Sequence, residues 1–431
     1  MTAELLVLFG GLLGLLALGA PVFLAMGGAS GLFFLAFPDR APLLVLAQGF
    51  VQGVDSFGFA AIPFFLLAGE LMNAGGIAAR LLDTARALVG HWRGGLAQAN
   101  VAANLAFAGI SGSAVADAAA VGATLVPAMK ASGYPGPFAA ALTASAAVLG
   151  PVIPPSIPML LFALMTGTPL MPLFLGGVVP GLLIVAALMA LCAVSARVRG
   201  FPAGPRVPWA ERGRVLLGAA PALAMPLVVL LALRGGAATS SEVGALLVAY
   251  AALVGALWYR SLTAGGFLRA LSGAAADSAR VLIIVSCSGV FGWIMVALGL
   301  GEALASAVGA VASGPHATML LIGAALLVLG LALEPVTLLV VCGPVLLPAA
   351  VAAGVSPVHF GVALAMGTTL GLITPPVGVL IYLAAAQARA PASAVLRELV
   401  PFIAALSAVF LLVLLVPAVV LALPRALLPP F

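Results

Sequence analysis

The sequence has few charged residues. It contains 17 basic and 12 acidic residues among 431, or 7% of the chain, whereas soluble globular proteins carry about 25%. So few ionic side chains cannot cover a surface that faces water, and 64% of the residues are hydrophobic. Runs of about 20 apolar residues, enough to cross a hydrocarbon core of about 30 Å, recur along the chain. The sequence therefore predicts an all-α polytopic membrane protein.

Several signatures of soluble enzymes and binding proteins are also missing. There is no GxxxxGK[ST] phosphate loop, no dinucleotide-binding turn and no paired Cys/His spacing typical of a metal site. Cys192, Cys287 and Cys342 lie apart in apolar segments, which predicts small buried hydrophobic residues. The net charge of +5 comes from arginines spaced among apolar runs, so it does not indicate nucleic-acid binding. We therefore predict no enzymatic activity.

Apolar runs predict ten full spans and two hairpins. A carboxylate or an opened backbone facing lipid costs several kcal/mol, so the two apolar stretches with a polar middle are interpreted as re-entrant hairpins, at 94–129 and 318–352. The predicted spans are 4–18, 20–37, 57–73, 137–165, 171–194, 215–233, 241–259, 281–300, 357–386 and 399–423.

The basic residues orient these spans. With the N-terminus outside, only Arg40, Arg234 and Arg425 fall on the outer side, and the other 14 of the 17 basic residues fall inside. This asymmetry satisfies the positive-inside rule and places both termini outside. Two inner segments, 77–92 and 262–280, mix Leu and Ala with spaced Arg, and they are either interfacial amphipathic helices or ordinary loops.

An internal repeat relates the two halves. Shifting the chain by 221 residues aligns 113–155 with 334–376 without a gap, and 12 of the 43 aligned positions are identical, including Gly150 with Gly371. An odd number of spans in each half makes the repeat inverted. We predict a first repeat over 1–197, a basic inner linker over 198–214 and a second repeat over 215–431.

Two spans, 137–165 and 357–386, contain a break at G-x-x-x-P-P. Consecutive prolines remove backbone donors and clash with the preceding turn. Opened backbone persists at membrane depth only where it is buried or lines a cavity, and there its carbonyls and helix ends can bind ions. The alternative is a simple proline kink. The prolines are Pro154, Pro155, Pro375 and Pro376.

Five stretches carry a family resemblance. PFFLLAGELMNAGGI (63–77), FAGISGSAVADAAAVG (107–122), GYPGPFAAALTA (133–144), GPVIPPSIPM (150–159) and PVHFGV…GLITPPVGV (357–379) resemble the large permease subunit of tripartite ATP-independent periplasmic (TRAP) transporters, dicarboxylate type, within the ion-transporter superfamily.

The resemblance runs nearly end to end. It implies two inverted repeats with re-entrant hairpins and elevator-like movement of the hairpin domain. It also implies sodium-coupled import of organic acid anions such as C4-dicarboxylates, sialic acid or keto acids. The implied partners are a periplasmic substrate-binding protein and a small four-helix (Q-type) membrane subunit. The implied location is the bacterial inner membrane, with sodium as coupling ion and no other cofactor.

Two positions depart from the pattern we expect in relatives. Glu334 stands where many relatives are expected to have Asp, which puts the second cation shell in doubt. Gly367 stands where Asn is frequent, which removes one side-chain ligand.

The candidate sodium ligands come from both hairpin tips and both breaks. Sodium prefers oxygen ligands, which the hydroxyls and close backbone of the tips supply; the alternative is a serine-rich helix contact. Asp117 either brings negative charge to a cation or interacts with a helix N-terminus. The candidate sodium ligands are Ser111, Gly112, Ser113, Gly150, Glu334, Thr337, Thr368 and Gly371. The candidate substrate-binding or tip residues are Asp117, Pro154, Pro155, Thr369, Pro375 and Pro376.

One further acid and three rival functions remain. Glu70 lies in a span, where a carboxylate is either functional or an interfacial residue. The rivals are a stand-alone sodium/anion symporter, a passive channel and a non-transporting scaffold subunit. An intramembrane protease is disfavoured because no G-x-G-D motif is present.

Overall fold

The computed structural model describes residues 2–40, 42–234, 238–331, 333–375 and 378–428, and every regular element in these ranges is a helix. By length and composition, eight of the described helices can cross a membrane, or nine if one bent pair counts as a single span. The predicted all-α, polytopic membrane class is therefore confirmed.

The first half contains ten α-helices within residues 2–40 and 42–199, and a short 3₁₀ helix at Phe57–Ala60 leads into the fourth. They are α1 Thr2–Ala17, α2 Val22–Ala36, α3 Leu43–Gln52, α4 Ala61–Ala74, α5 Ile77–Val89, α6 Gly95–Ser111, α7 Ala114–Ala131, α8 Gly136–Ala147, α9 Ile157–Thr166 and α10 Leu170–Arg199.

The described part of the second half contains ten more, and the second of them continues as a π-helical turn at Val254–Trp258. They are α11 Trp209–Arg234, α12 Ser240–Leu253, α13 Ala264–Ala297, α14 Leu300–Val311, α15 Pro315–Leu329, α16 Pro335–Ala352, α17 Pro357–Gly371, α18 Val379–Ala388, α19 Ala392–Leu415 and α20 Pro417–Leu427.

The helix order of the first half recurs in the second. Helices α7 and α16 begin at residues 114 and 335, and α8 and α17 begin at 136 and 357, so both pairs are 221 residues apart. The pairs α6/α15, α9/α18 and α10/α19 follow within one residue of that offset. The repeat thus extends to helix boundaries, and the opposite orientation of its two copies stays a prediction.

Helix pairs occupy the predicted hairpins, and interruptions occupy the predicted breaks. Segment 94–129 corresponds to α6 and α7, and segment 318–352 to α15 and α16. In the first break the helix stops at Ala147 and resumes at Ile157, because the prolines at 154 and 155 cannot donate to a preceding turn. In the second it stops at Gly371 and resumes at Val379; Pro376 lies outside the described residues.

The predicted spans differ from the structure in three respects. The helices α1 and α2 have 16 and 15 residues, fewer than the about 20 that an untilted span needs. Each broken span is two short helices. Residues 399–423 are not one helix: α19 ends at Leu415 and α20 begins at Pro417, which cannot donate to a continuing helix.

The segment between the halves is helical at both ends of the predicted linker. Helix α10 runs to Arg199 and α11 starts at Trp209, so only residues 200–208 are non-helical. The Gly204 N–H donates to the Gly90 carbonyl at 2.9 Å. The Phe201 ring lies 4.5 Å from that of Tyr134 and 5.0 Å from that of Phe138. The linker is thus packed against the first half.

Two groups of helices position the candidate site. In one group α4 packs on α12 and α13, and α1 and α2 form a separate apolar cluster with α13. In the other, α8 packs on α7, α18 and α19, and α16 packs on α9 and α17. The second group therefore brings the hairpins and breaks of both halves together. All three cysteines are buried and free, as predicted.

We predict that a cysteine at position 425 reacts with a membrane-impermeant maleimide in intact cells, and that one at position 206 reacts only after permeabilisation. Both Arg425 and Arg206 are exposed, and the charge asymmetry places them on opposite sides. Labelling is read by mass shift on a gel. The unsubstituted chain is the control, because its buried cysteines should not react. The reverse labelling pattern would contradict the orientation.

Candidate functional site

The tip of the first hairpin is a tight two-residue turn. Helix α6 ends at Ser111, Gly112 has φ +61, and Ser113 is the extended N-cap of α7. A positive φ favours glycine, which has no Cβ to clash. The Ser113 hydroxyl accepts from the Ala116 N–H at 3.4 Å, and the Ser113 N–H donates to the Ser111 hydroxyl at 3.1 Å. The tip is thus closed by its own serines.

Asp117 lies one turn into α7 and is completely buried. Its Oδ1 accepts a hydrogen bond from the Ser111 hydroxyl. Its Oδ2 is buried and has no hydrogen-bond partner among the described residues. An ionised carboxylate in such surroundings is costly unless it is paired. The free oxygen therefore fits a cation, whereas a residue that only capped a helix would have its oxygens satisfied by N–H groups.

The first break lies directly against this tip. A Cβ added at Gly150 would lie 2.7 Å from Asp117 Oδ2 and 3.0 Å from the Ala114 nitrogen. A Cβ added at Gly112 would lie 2.7 Å from the Pro155 carbonyl oxygen. The structure therefore brings together Ser111, Gly112, Ser113, Asp117, Gly150 and Pro155, as the sequence predicted for a cage of tip and opened backbone.

Two helix N-termini meet at the same place. Helix α7 begins after Ser113, and the position of a Cβ on Gly112 is 3.1 Å from the Ile157 nitrogen at the start of α9. Helix N-termini carry partial positive charge and unpaired N–H groups. The arrangement can stabilise an anionic group beside the carboxylate. Pro154, also buried, precedes this N-terminus, and its peptide bond to Pro155 is cis.

Ser156 is a residue of this site that the sequence reasoning missed. It is the N-cap of α9: its hydroxyl accepts from the Met159 N–H at 3.3 Å and donates to the Pro151 carbonyl at 2.5 Å. It thus fixes the ends of the opened segment. A serine just before a helix with proline in its first turn is an N-cap signal that the sequence does carry.

The second tip and break also meet, through glycines. A Cβ added at Gly371 would lie 2.5 Å from the Gly330 carbonyl oxygen, at the end of α15. Glu334 is the exposed N-cap residue of α16, and its Oε1 accepts from the buried Thr337 hydroxyl at 3.4 Å. The structure thus places Gly371 on the turn that leads to Glu334.

The second set is chemically different from the first. Thr368 and Thr369 are fully buried, and both hydroxyls donate to the Ala365 carbonyl, at 2.9 and 2.6 Å. Position 338, which corresponds to Asp117 in the repeat, is Leu. No buried carboxylate therefore stands at the corresponding place, and the hydroxyl oxygens and the backbone near Pro375 are the oxygens on offer.

Side-chain contacts between the halves join α7 to α18. Gln387 Nε2 donates to the carbonyls of Ala118 and Ala119, both at 3.2 Å. Lys130 Nζ donates to the Ala388 carbonyl at 2.6 Å and so caps the C-terminus of α18. Gly122 leaves room for Gln387, since a Cβ there would lie 1.9 Å from Oε1. No sequence signal predicts a pairing across 258 residues.

Comparison with known families decides the identity. The family model described as "Tripartite ATP-independent periplasmic transporter, DctM component" matches residues 9–419. The chain belongs to this family. It is therefore a TRAP transporter large permease, a transporter subunit and not an enzyme. Permeases of this tripartite family work with a periplasmic substrate-binding protein and a small membrane subunit.

Individual relatives agree with this assignment. The permease is 35% identical to the sialic acid TRAP transporter large permease SiaM of Vibrio cholerae, over 96% of this chain and 97% of that one. It is 35% identical to the C4-dicarboxylate large permease DctM of Pseudomonas aeruginosa, over 93% and 94%. Among solved structures, the YdaH transporter of Alcanivorax borkumensis has a TM-score of 0.66 and 16% identity over 90% of both chains, a similarity of fold.

We predict that Gly150→Ala destabilises the permease, because the new Cβ would lie 2.7 Å from Asp117 Oδ2 and 3.0 Å from backbone. Overpacking of this kind costs about 1–3 kcal/mol, which a lowered unfolding temperature in detergent would report. Gly136→Ala in the same helix is the matched control, since its Cβ would have no neighbour closer than 3.5 Å. Equal unfolding temperatures for both variants would contradict the close contact.

Proposed function

We propose that the permease imports organic acid anions together with sodium. The substrate-binding protein delivers the anion from the periplasm, and the small partner is a four-helix Q-type subunit. The permease lies in the bacterial inner membrane with both termini in the periplasm. Relatives named for sialic acid, 2,3-diketo-L-gulonate and C4-dicarboxylates support this substrate class, because all of these compounds are carboxylic acids.

Asp117 is the observation that carries the sodium proposal. Its buried Oδ2 has no hydrogen-bond partner among the described residues and faces the opened chain at Gly150. A hard monovalent cation takes oxygen ligands, which the carboxylate, the Ser111 and Ser113 region and the backbone of the break provide. Sodium bound there neutralises the carboxylate, so the site is complete only when the ion is present.

The anion is proposed to bind beside that cation. The N-termini of α7 and α9 meet at the tip and favour a carboxylate of the substrate. Pro154 and Pro155 hold the chain open so that these N–H groups are not used by a preceding turn. In the second half, Thr369 and Pro375 are the candidates. Bound sodium offsets charge repulsion between Asp117 and the substrate, which couples the two fluxes.

A second sodium site is proposed at the second tip. Its candidate ligands are Glu334, Thr337, Thr368 and the backbone at Gly371. Its binding energy rests on hydroxyl and backbone oxygens, because Glu334 is exposed. We therefore expect weaker binding than at the first site.

Elevator-like movement requires a hairpin group that slides against fixed helices. We propose that α6–α10 and α15–α19 move together, and that α1–α4 and α11–α13 stay with the small subunit. The tie from Gln387 and Lys130 of the two halves supports one moving body. The contact of Gly109 in α6 with Pro226 in α11 lies on the sliding surface.

We predict that Asp117→Asn raises the sodium concentration for half-maximal uptake by about tenfold to a hundredfold, because a charged ligand is lost. Glu334→Gln should raise it less, since Glu334 is exposed. The measurement is substrate uptake into proteoliposomes with the cognate binding protein and small subunit, over a range of sodium concentrations.

Glu302→Gln is the control for this series, because Glu302 is an exposed acid in α14 that touches neither tip. Unchanged sodium dependence in both Asp117→Asn and Glu334→Gln would remove the cage assignment. Uptake that needs no sodium at all would remove the coupling proposal.

We predict that a disulfide between Gly109→Cys and Pro226→Cys stops uptake and that reduction restores it. The Cβ of residue 109 would lie 3.7 Å from that of residue 226, within the about 3.5–4.5 Å that disulfides need. The bond would hold α6 to α11 and block sliding. Uptake is measured before and after reductant.

The control disulfide joins Gly11→Cys and Ala29→Cys within the fixed group, where the two Cβ atoms would be 3.5 Å apart. It should leave uptake unchanged. Both are made in a chain with Cys192, Cys287 and Cys342 replaced by Ala. Full uptake by the oxidised 109–226 variant would refute the sliding movement.

The alternative function is a stand-alone symporter. It predicts full uptake by purified permease without the binding protein or small subunit, whereas the tripartite proposal predicts none. A non-transporting scaffold predicts that the Asp117→Asn change leaves uptake by the assembled system untouched.

A further inference from the structure

A polar cavity lies outside the candidate transport site, between the C-terminal half of α4 and the start of α13. Its volume is about 470 Å³, within the range of small-molecule sites, about 300–1,000 Å³. Its polar lining residues are Glu70, Ser261, Thr263 and Arg269, with only small residues between them. A cavity with charged walls in a membrane protein calls for an occupant.

One wall carries an uncompensated carboxylate. Glu70 is half-buried in a membrane-spanning helix and has no hydrogen-bond or ion-pair partner within the described ranges. The position of a Cβ on Gly273 is 3.7 Å from Glu70 Oε2, so the missing side chain gives the carboxylate room. One turn further along α13, Asp277 is paired with Arg280 at 2.7 Å. Glu70 therefore needs a cation from elsewhere.

The opposite wall is positive. Arg269 is exposed and forms no ion pair in the part of the chain that is described. The N-terminus of α13 opens beside it, with the Thr263 hydroxyl accepting from the Gly266 N–H at 3.0 Å. Arg80 nearby is already engaged, by the Gly76 carbonyl at 2.8 Å and the Tyr259 ring at 3.9 Å. The cavity thus suits a ligand with a cationic and an anionic group.

The surroundings identify the source of that ligand. On α13, Phe267, Leu268 and Leu271 flank Arg269 and are exposed apolar side chains. Exposed Trp258 is a residue type enriched at membrane interfaces, and it precedes the cavity's Ser261. The charged cavity is therefore next to a surface that acyl chains cover, at the inner ends of the spans.

We propose that this cavity binds the headgroup of an aminophospholipid. The primary ammonium donates to the Glu70 carboxylate, and the phosphodiester lies at Arg269 and the α13 N-terminus. The acyl chains extend over the exposed apolar side chains of α13. A phosphatidylethanolamine headgroup carries both charges at the required spacing of a few bonds, and its N–H groups form charge-assisted hydrogen bonds that a trimethylated headgroup cannot.

The test uses native mass spectrometry of the purified permease with phosphatidylethanolamine, its mono- and dimethyl derivatives and phosphatidylcholine, one lipid at a time. We expect affinity to fall along this series, by about tenfold from first to last. Glu70→Gln should bring the ratio of first to last close to one. Arg269→Gln should weaken all four lipids and keep their ratio.

Asp277→Asn together with Arg280→Gln is the matched control, because this exposed pair lies on the same helix outside the cavity lining. It should bind as the unsubstituted chain does. Equal affinity for all four lipids in the unsubstituted permease would overturn the proposal, and so would an unchanged ratio in Glu70→Gln.

A third arm separates a membrane lipid from a soluble zwitterion of the same chemistry. Glycerophosphoethanolamine has the same headgroup without acyl chains, so it should not displace the lipid at equal concentration. Displacement by it would overturn the assignment to a lipid. An unfolding temperature of Glu70→Gln equal to that of the unsubstituted permease, in lipid-free detergent, shows that the effect is not misfolding.

Discussion

The architecture depends on one constraint: polypeptide opened inside a membrane must be covered. Two helices stop at Ala147 and Gly371, and their unpaired carbonyls and N–H groups cannot face lipid, where each unsatisfied group costs several kcal/mol. In each half a hairpin tip covers the break by direct backbone contact, at Gly112 with Pro155 and at Gly371 with Gly330. Glycine is required because the chains touch. The tips therefore serve packing and ion binding together.

The two halves share this solution and differ in its chemistry. The first encloses a carboxylate, Asp117, with one oxygen unpaired, whereas Leu338 stands at the corresponding place in the second. A buried negative charge makes the first tip unstable without a cation, and the second tip lacks this penalty. A repeated framework thus carries two unequal sites, and the unequal charge gives the pair a direction: the first site gains more from a cation.

The sequence predicted what depends on local chemistry. Proline pairs located both breaks, the S-G-S string located the first tip, and the repeat offset matched helix boundaries to within about two residues. It missed what depends on tertiary contact. Span lengths were overstated for α1 and α2, because apolar composition does not mark where a helix turns. The contact of Gln387 with the Ala118 and Ala119 carbonyls joins distant segments, and only the folded chain brings them together.

The same contact has a consequence for biosynthesis. Lys130 and the carbonyls of Ala118 and Ala119 belong to α7, and their partners at 387 and 388 are made 258 to 269 residues later. At the about 5–20 residues per second of translation, α7 waits tens of seconds in the membrane before α18 exists to dock against it. During that interval the first half is an incomplete intermediate. The order of synthesis thus makes the last quarter of the chain the step that finishes the first.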